Sequence, residues 1–349
     1  MKILIVSDAW YPQLNGVVRT YEHLRDELER QGHYVKVMGP ADFPLRLPMP
    51  GYNEIQLAVG PYGRLRDLID FVEPDHLHIA TEGPLGYAAR RYALKKNLHF
   101  TTSYHTHFPD YLAKRVKKYI PSLENWSRQK AIQMMRNFHA PAHTMFVASP
   151  SLEDELKSWA FKNPMTRLTR GVDFSIFKPA PRTLFQDLPG PIALYVGRVA
   201  IEKSIHKFLE MDWPGSKIVV GHGPSMNYFT KRYPDAHFVG KKTGAELAAH
   251  YQSADVFVFP SKTDTFGIVL IEALACGLPV AAYDVTGPKD IITAPELGAL
   301  GDDLSACTKQ ALTAPGSAET RHNHVLQNYS WEKASEQFMS VVEINKKTP

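Results

Sequence analysis

Short apolar runs alternate with helix-periodic stretches along almost the whole chain. ILIVS (3–7), YVKVM (34–38), HLHIA (76–80), HFTTS (99–103) and TMFVAS (144–149) are each bounded by Gly, Pro or polar residues. Their Val and Ile do not alternate with polar positions, which predicts strands buried on both faces, hence a parallel sheet covered by helices. The pattern then restarts with PIALYVG (191–197), SKIVVG (216–221), AHFVG (236–240), DVFVFP (255–260) and LPVAAY (278–283). Strand–helix–strand repeated in this way predicts an α/β fold of two doubly wound layers. Between the two sets, residues 170–191 are dense in Pro and lack any period, so the domain boundary is expected there. From Ser330, apolar residues recur at Trp331, Ala334, Phe338 and Val341/Val342, one stripe of an amphipathic helix with Ser330 as its expected N-cap.

Composition narrows the picture. A length of 349 residues exceeds one ordinary core and fits two domains. With 44% hydrophobic and 22% charged residues, disorder is excluded. The net charge of +4 suits an anionic small ligand or an anionic membrane surface and is too weak to argue for nucleic acid. Two cysteines, Cys276 and Cys307, make neither a disulfide framework nor a metal site, and a reducing compartment is expected. No segment approaches the roughly 18 apolar residues of a membrane span, so membrane contact is expected to be peripheral. The opening MKILIVSDAW reads as a first strand rather than a signal peptide.

Candidate chemistry concentrates in SKTDTFGIVLIEALACGLPV (261–280), a polar turn after a buried strand that runs into a helix. Asp264 and Glu272 are separated by seven residues, about two helical turns, and can face one side. Phe266 and Gly267 fall where the helix begins, with backbone N–H groups free to meet an anion or a hydroxyl. A capping Asp and a solvated Glu would look the same in isolation. The second piece, YVGRVAIEKS (195–204), ends a buried strand in Gly197-Arg198 with Lys203 five residues on. A guanidinium and an ammonium converging at strand carboxyl ends suit a diphosphate, though either alone reads equally well as a surface charge.

These segments, with GHGP (221–224), the RGVD hinge, SDAWYPQLNGVVRT (7–20) and SYHTHFP (103–109), resemble the family 4 glycosyltransferases of GT-B fold. More narrowly, they resemble the bacterial and plastid glycolipid-forming members. The resemblance implies two Rossmann-like domains with a cleft between them. The acceptor-binding domain would span 1–172, completed by the helix 330–349, and the nucleotide-sugar domain 173–329. It implies that Gly16 brings backbone near the donor diphosphate and that His105 sets a neutral imidazole over the transferred sugar. Arg198 and Lys203 would stabilise the leaving diphosphate. Asp264, helped by the amides of Phe266 and Gly267, would bind sugar hydroxyls, and Glu272 would hold the ribose. The family's common motif has Glu where Asp264 stands, which leaves the sugar open. His222 replaces a frequent Asp and receives no role.

Charge that develops on a leaving diphosphate must be neutralised as it forms. No Asp-x-Asp occurs in the sequence, so Arg198, Lys203 and helix N-termini would carry it without metal or other cofactor. The family's chemistry is retaining. Residues 110–139 hold seven Lys or Arg against Glu124 between Lys114 and Arg136, beside Trp126, and are the expected docking face for an anionic membrane. A basic helix face packed on the core would give the same pattern.

The expectation is a cytoplasmic enzyme at the inner face of the membrane. It would transfer a hexose or uronic acid from a nucleoside-diphosphate sugar, UDP-linked, to a lipid such as diacylglycerol. A GDP-mannose-dependent mannosyltransferase and a sugar-nucleotide epimerase are the alternatives, with a non-catalytic scaffold as a third class. An NAD-dependent oxidoreductase is disfavoured because neither entry loop contains Gly-x-Gly-x-x-Gly.

Overall fold

The structure, a computed structural model, describes residues 1–347 apart from Leu14, Pro50, Gly51 and Thr106. The side chains of 52–54, 111, 114, 115, 117–119 and 344–347 also fall outside the description, so the charges at Lys114, Arg115, Lys117 and Lys118 are not placed. The chain divides into two compact units, Met1–Arg170 with Trp331–Pro349, and Gly171–Ser330.

The first unit runs β1 (Lys2–Val6), α1 (Gly16–Arg30), β2 (Tyr34–Met38), β3 (Arg46–Met49), β4 (Tyr52–Ala58), α2 (Tyr62–Val72), β5 (His76–Ile79), α3 (Pro84–Lys96), β6 (Phe100–Ser103), α4 (Phe108–Tyr119), α5 (Glu124–His139), β7 (Thr144–Val147), α6 (Pro150–Ser158) and β8 (Met165–Arg167). Its main sheet has the order β2-β1-β5-β6-β7-β8, with every pairing parallel. Strand side chains point alternately to the two faces. Ile3 and Ile5 therefore join Val18, Tyr21, Leu24 and Leu28 of α1, while Leu4 and Val6 join Leu65, Leu85, Phe100 and Phe138 on the other side. Because both faces are covered, β1 reads as an uninterrupted apolar run. A β3–β4 antiparallel hairpin stands apart from this sheet.

The second unit runs β9 (Ala193–Val196), α7 (Ile205–Glu210), β10 (Lys217–Val220), α8 (Met226–Arg232), β11 (His237–Gly240), α9 (Gly244–Gln252), β12 (Val256–Phe259), α10 (Ile268–Ala275), β13 (Val280–Tyr283), α11 (Pro288–Ile291), β14 (Gly298–Gly301), α12 (Leu304–Leu312) and α13 (Ala318–Asn328). Its sheet, also parallel, has the order β11-β10-β9-β12-β13-β14.

The last helix, α14 (Trp331–Lys347), returns to the first unit. Ala334, Phe338, Val341 and Val342 pack with α1, Trp331 stacks on His23 with centroids 4.8 Å apart, and Gln31 donates to Ser335 at 2.8 Å. Among the described residues, no helix is long and apolar enough to cross a membrane.

Candidate functional site

In the second unit, strand order reverses between β9 and β12, which lie side by side. Ligands of open parallel sheets bind at such a reversal, beyond the carboxyl ends of the strands. The loops leaving these two strands carry Arg198 and Lys203 on one side and Asp264, Phe266 and Gly267 on the other. Lys203 Nζ contacts Asp264 Oδ1 directly, joining residues 61 apart in sequence. Sequence reasoning gave these two separate partners, a diphosphate and a sugar. The structure pairs them with each other.

Arg198 lies on the same loop, partly exposed, and its carbonyl accepts the Tyr195 hydroxyl at 2.8 Å. Gly267 caps α10 with φ +92°, a left-handed conformation that an L side chain adopts only under strain. Among the described residues, the amides of Phe266 and Gly267 donate to no protein acceptor, whereas Leu270 N–H is spent on the Gly267 carbonyl at 3.0 Å. Phe266 itself is buried, edge-on to Tyr329. At β10, a Cβ on Gly221 would lie 1.8 Å from the Gly197 carbonyl, so only glycine permits the strand ends to approach there. His222 is exposed and offers its carbonyl to Val199 N–H.

Glu272, two turns into the strand-to-helix segment, is 3% exposed, and its Oε2 accepts the Tyr251 hydroxyl of α9 at 2.9 Å. The Cys276 thiol one turn later is pushed up, first by burial and then by the Glu272 charge. Tyr251, which no sequence pattern singles out, thus orients the buried carboxylate of this segment.

The first unit's order reverses between β1 and β5. Gly16, exposed, opens α1, and Asn15 Oδ1 caps the amides of Val17 and Val18 at 3.0 and 3.1 Å. The loop after β1 carries Asp8, 6% exposed, which sequence reasoning passed over. Its carboxylate accepts Leu85 N–H at 2.9 Å, Gly86 N–H at 3.2 Å and the Thr81 hydroxyl at 3.1 Å, capping α3 from across the sheet. Burial raises its pKa to about 6, against the lowering effect of these hydrogen bonds.

His105 follows β6 and is half-buried. Its Nε2 lies 2.8 Å from the Tyr21 hydroxyl and its Nδ1 lies 3.0 Å from Arg170 Nη2. Tyr21 Oη also meets His78 Nε2 and Ser103 Oγ, each at 2.8 Å. Burial holds the imidazole well below its ordinary pKa, with Arg170, His78 and His139 adding to the effect. That direction favours the neutral ring. Both ring nitrogens, however, already have protein partners, so a sugar hydroxyl meeting Nε2 has to compete with Tyr21.

Among the described residues, one group of possible metal ligands comes together, His107, Asp110 and Glu155, with donor atoms within 4.8 Å of one another. The Arg128 guanidinium already sits 2.6 Å from Asp110, supplying the positive charge there. In the basic segment, Ile132, Met135 and Phe138 are core residues, whereas Ile120, Leu123, Met134 and Trp126 are exposed, Trp126 at 60%.

Residues 14–175 match the family described as Glycosyltransferase Family 4, and residues 190–314 match the one described as Glycosyl transferases group 1. The chain is 30% identical over 324 residues to a GDP-mannose-dependent alpha-mannosyltransferase of Mycobacterium tuberculosis, covering 86% of this chain and 83% of that protein. It is 27% identical over 328 residues to the alpha-monoglucosyldiacylglycerol synthase of Acholeplasma laidlawii, covering 81% of each. Among solved structures, sucrose-phosphate synthase from Thermosynechococcus elongatus superposes with a TM-score of 0.76 over the full length of both chains at 19% identity.

Proposed function

The chain belongs to glycosyltransferase family 4, with two Rossmann-like units of the GT-B fold, and from that premise we propose that it transfers a hexosyl group from a UDP-sugar to a diacylglycerol-type lipid with retention of configuration. The observation that supports this reading is the reversal point of the second sheet, where the loops leaving two neighbouring strands carry Arg198 and Lys203 on one side and Asp264 on the other, with Lys203 contacting Asp264. An ammonium has three donors. With one engaged by Asp264, two remain for diphosphate oxygens, so Lys203 ties the sugar-binding carboxylate to the leaving group. Arg198 adds a planar fork that matches phosphate geometry. Charge then develops against two fixed cations and the open amides at 266 and 267, without a metal.

Glu272, oriented by Tyr251, takes the ribose diol, and Gly16 lets backbone approach the diphosphate. A retaining course has the acceptor attack from the face that the nucleotide leaves, its proton passing to a leaving phosphate oxygen. His105 supplies a neutral ring beside the transferred sugar. The lipid acceptor is supported by the glucosyldiacylglycerol synthase relative and by the exposed Ile120, Leu123 and Trp126 beside the basic helices, a surface suited to peripheral docking on an anionic leaflet.

A GDP-mannose donor is the second reading, favoured by the higher identity to the mannosyltransferase. The test is to incubate the purified protein with diacylglycerol in anionic liposomes and labelled UDP-glucose, UDP-galactose, UDP-glucuronic acid or GDP-mannose, with and without EDTA. An α-linked glycolipid from a UDP-sugar, formed equally after chelation, is expected. Transfer from GDP-mannose alone establishes the second reading. A β-linked product or EDTA-sensitive turnover defeats the metal-free retaining mechanism.

A further inference from the structure

Arg170 ends the first unit and is 5% exposed, yet among the described residues no carboxylate pairs with it. Its Nη1 donates to the Leu168 carbonyl at 2.5 Å and the Thr169 carbonyl at 3.1 Å, and its Nη2 donates to His105 Nδ1 at 3.0 Å. A guanidinium has donors only. An imidazole nitrogen that receives an N–H cannot carry a proton itself, so Nδ1 must present its lone pair. A neutral imidazole with a bare Nδ1 has its proton on Nε2, and that N–H points to Tyr21 Oη, 2.8 Å away. The Tyr21 oxygen, receiving it, passes its own proton to Ser103 or His78. One residue with no acceptor thereby sets the polarity of the ring beside it.

We propose that Arg170 is a positioning residue that holds His105 as the neutral Nε2–H tautomer, so that the ring offers the transferred sugar a hydrogen-bond donor and never a base. This deepens, and rests on, the reading of His105 as a group that meets the donor sugar. It agrees with a reaction in which the leaving phosphate oxygen, rather than a side chain, takes the acceptor's proton. A sugar hydroxyl arriving at Nε2 would be held as an acceptor in place of Tyr21. Among the described residues, His78 on β5 and His139 on α5 also act on the ring, and His139 bonds Thr102 and Glu82 at 2.9 and 3.1 Å. Neither of these contacts reaches Nδ1.

The charge of Arg170 is itself expensive to hold. Burial lowers its pKa to about 10, and two carbonyls and one imidazole nitrogen are its recorded acceptors. Arg170→Met keeps an unbranched side chain of similar length while removing the charge and every donor, which makes it the direct test variant. Arg170→Lys, which keeps charge and donors, is its companion.

The experiment is ¹⁵N NMR of ring-labelled histidines, with His105 assigned by His105→Gln, alongside steady-state transfer. In the wild type, His105 Nδ1 is expected at an imine-like shift and Nε2 at a pyrrole-like one, unchanged from pH 5.5 to 8. Arg170→Met should mix the tautomers and lower kcat about 10- to 100-fold, the scale of losing an orienting partner, with donor KM little changed. Arg170→Lys should restore both the shift pattern and most of the rate. A protonated Nδ1 in the wild type overturns the proposal, as does a Met variant whose tautomer is unchanged while stability and rate fall together. If the shifts behave as expected but the Met variant turns over normally, Arg170 is not a positioning residue for transfer. Absence of transfer by the wild type to any acceptor fails the functional reading separately, because the NMR result does not depend on it.

Discussion

Replacing Lys203 with Met should separate catalysis from folding more cleanly than any other change in the second unit. The ammonium is paired with Asp264, the two side chains being 29% and 21% exposed. A partly solvated pair of this kind contributes about 0.2–1 kcal/mol, which for a unit of this size corresponds to at most about 2–4 °C in Tm. In the proposed transition state the same ammonium would face a diphosphate gaining charge, where one fixed donor is worth about 2–4 kcal/mol. That is a loss of roughly 30- to 1,000-fold in kcat/KM. Thermal unfolding and initial-rate transfer on one preparation give both numbers.

Asp264→Asn sharpens the test. Lys203→Met removes the ammonium partner of a carboxylate beside the incoming diphosphate, and removing that carboxylate as well should return part of the rate. The double variant is therefore expected to keep more activity than the product of the single losses, a coupling of about 0.5–3 kcal/mol. A Lys203→Met protein that unfolds within a few degrees of wild type yet keeps kcat/KM within about threefold would refute the diphosphate role. Strict additivity with Asp264→Asn would show that the ion pair has no part in donor binding.

Three further outcomes are expected. Asp8, with a folded pKa of about 6 against an ordinary 3.8, binds protons more readily folded than unfolded, so stability should fall as pH rises from about 4 to 6, by roughly 3 kcal/mol from this group; Asp8→Asn should flatten that segment of a denaturation-versus-pH series, and an unchanged slope would rule Asp8 out as its source. Tyr251→Phe removes a hydrogen bond to the buried Glu272 carboxylate, a loss of about 1.5–3 kcal/mol, and should raise the donor KM with kcat nearly kept; an unmoved KM would detach Glu272 from the ribose. Changing Lys114, Arg115, Lys117 and Lys118 to Gln should release the protein from anionic liposomes, at about 1 kcal/mol per charge, while UDP affinity persists; co-sedimentation equal to wild type would reduce the basic segment to a solvated face.

The central strands were legible because burial on both faces leaves a continuous apolar run. ILIVS reads as a strand, and its Ile3–Val6 stretch lies fully buried in β1, while VFVF lies at the heart of its sheet as β12. Both sixth strands escaped notice. β8 is MTR and β14 is GALG, each at a sheet edge with one neighbour, where neither partner demands a hydrophobic run. The β3–β4 hairpin escaped for a related reason: it lies off the main sheet, with exposed Leu47 and a Pro in one strand, so its pattern reflects little burial. In the basic segment, the helical spacing of Ile132, Met135 and Phe138 marks one stripe, and all three are core while Met134 beside them is exposed.

Charges at strand ends were legible for a different reason. In a parallel sheet the carboxyl ends of neighbouring strands meet, so charged residues following apolar runs at 196 and 259 are brought together by topology, whatever the intervening sequence. Lys203 and Asp264 obey that rule. Tyr21 and Arg170 do not. Tyr21 occupies a core position in the stripe Val18, Tyr21, Leu24, Leu28, where an aromatic ring needs no function to explain it, and only its hydroxyl, 84 residues in sequence from His105, carries the chemistry. Arg170 sits in a Pro-dense stretch without periodicity, 65 residues from its imidazole partner. A residue that acts by touching the ligand leaves a mark on a strand end, because the fold fixes where ligands go. One that acts by fixing a proton on its neighbour leaves only a donor and an acceptor whose meeting depends on three-dimensional packing, which no local pattern encodes.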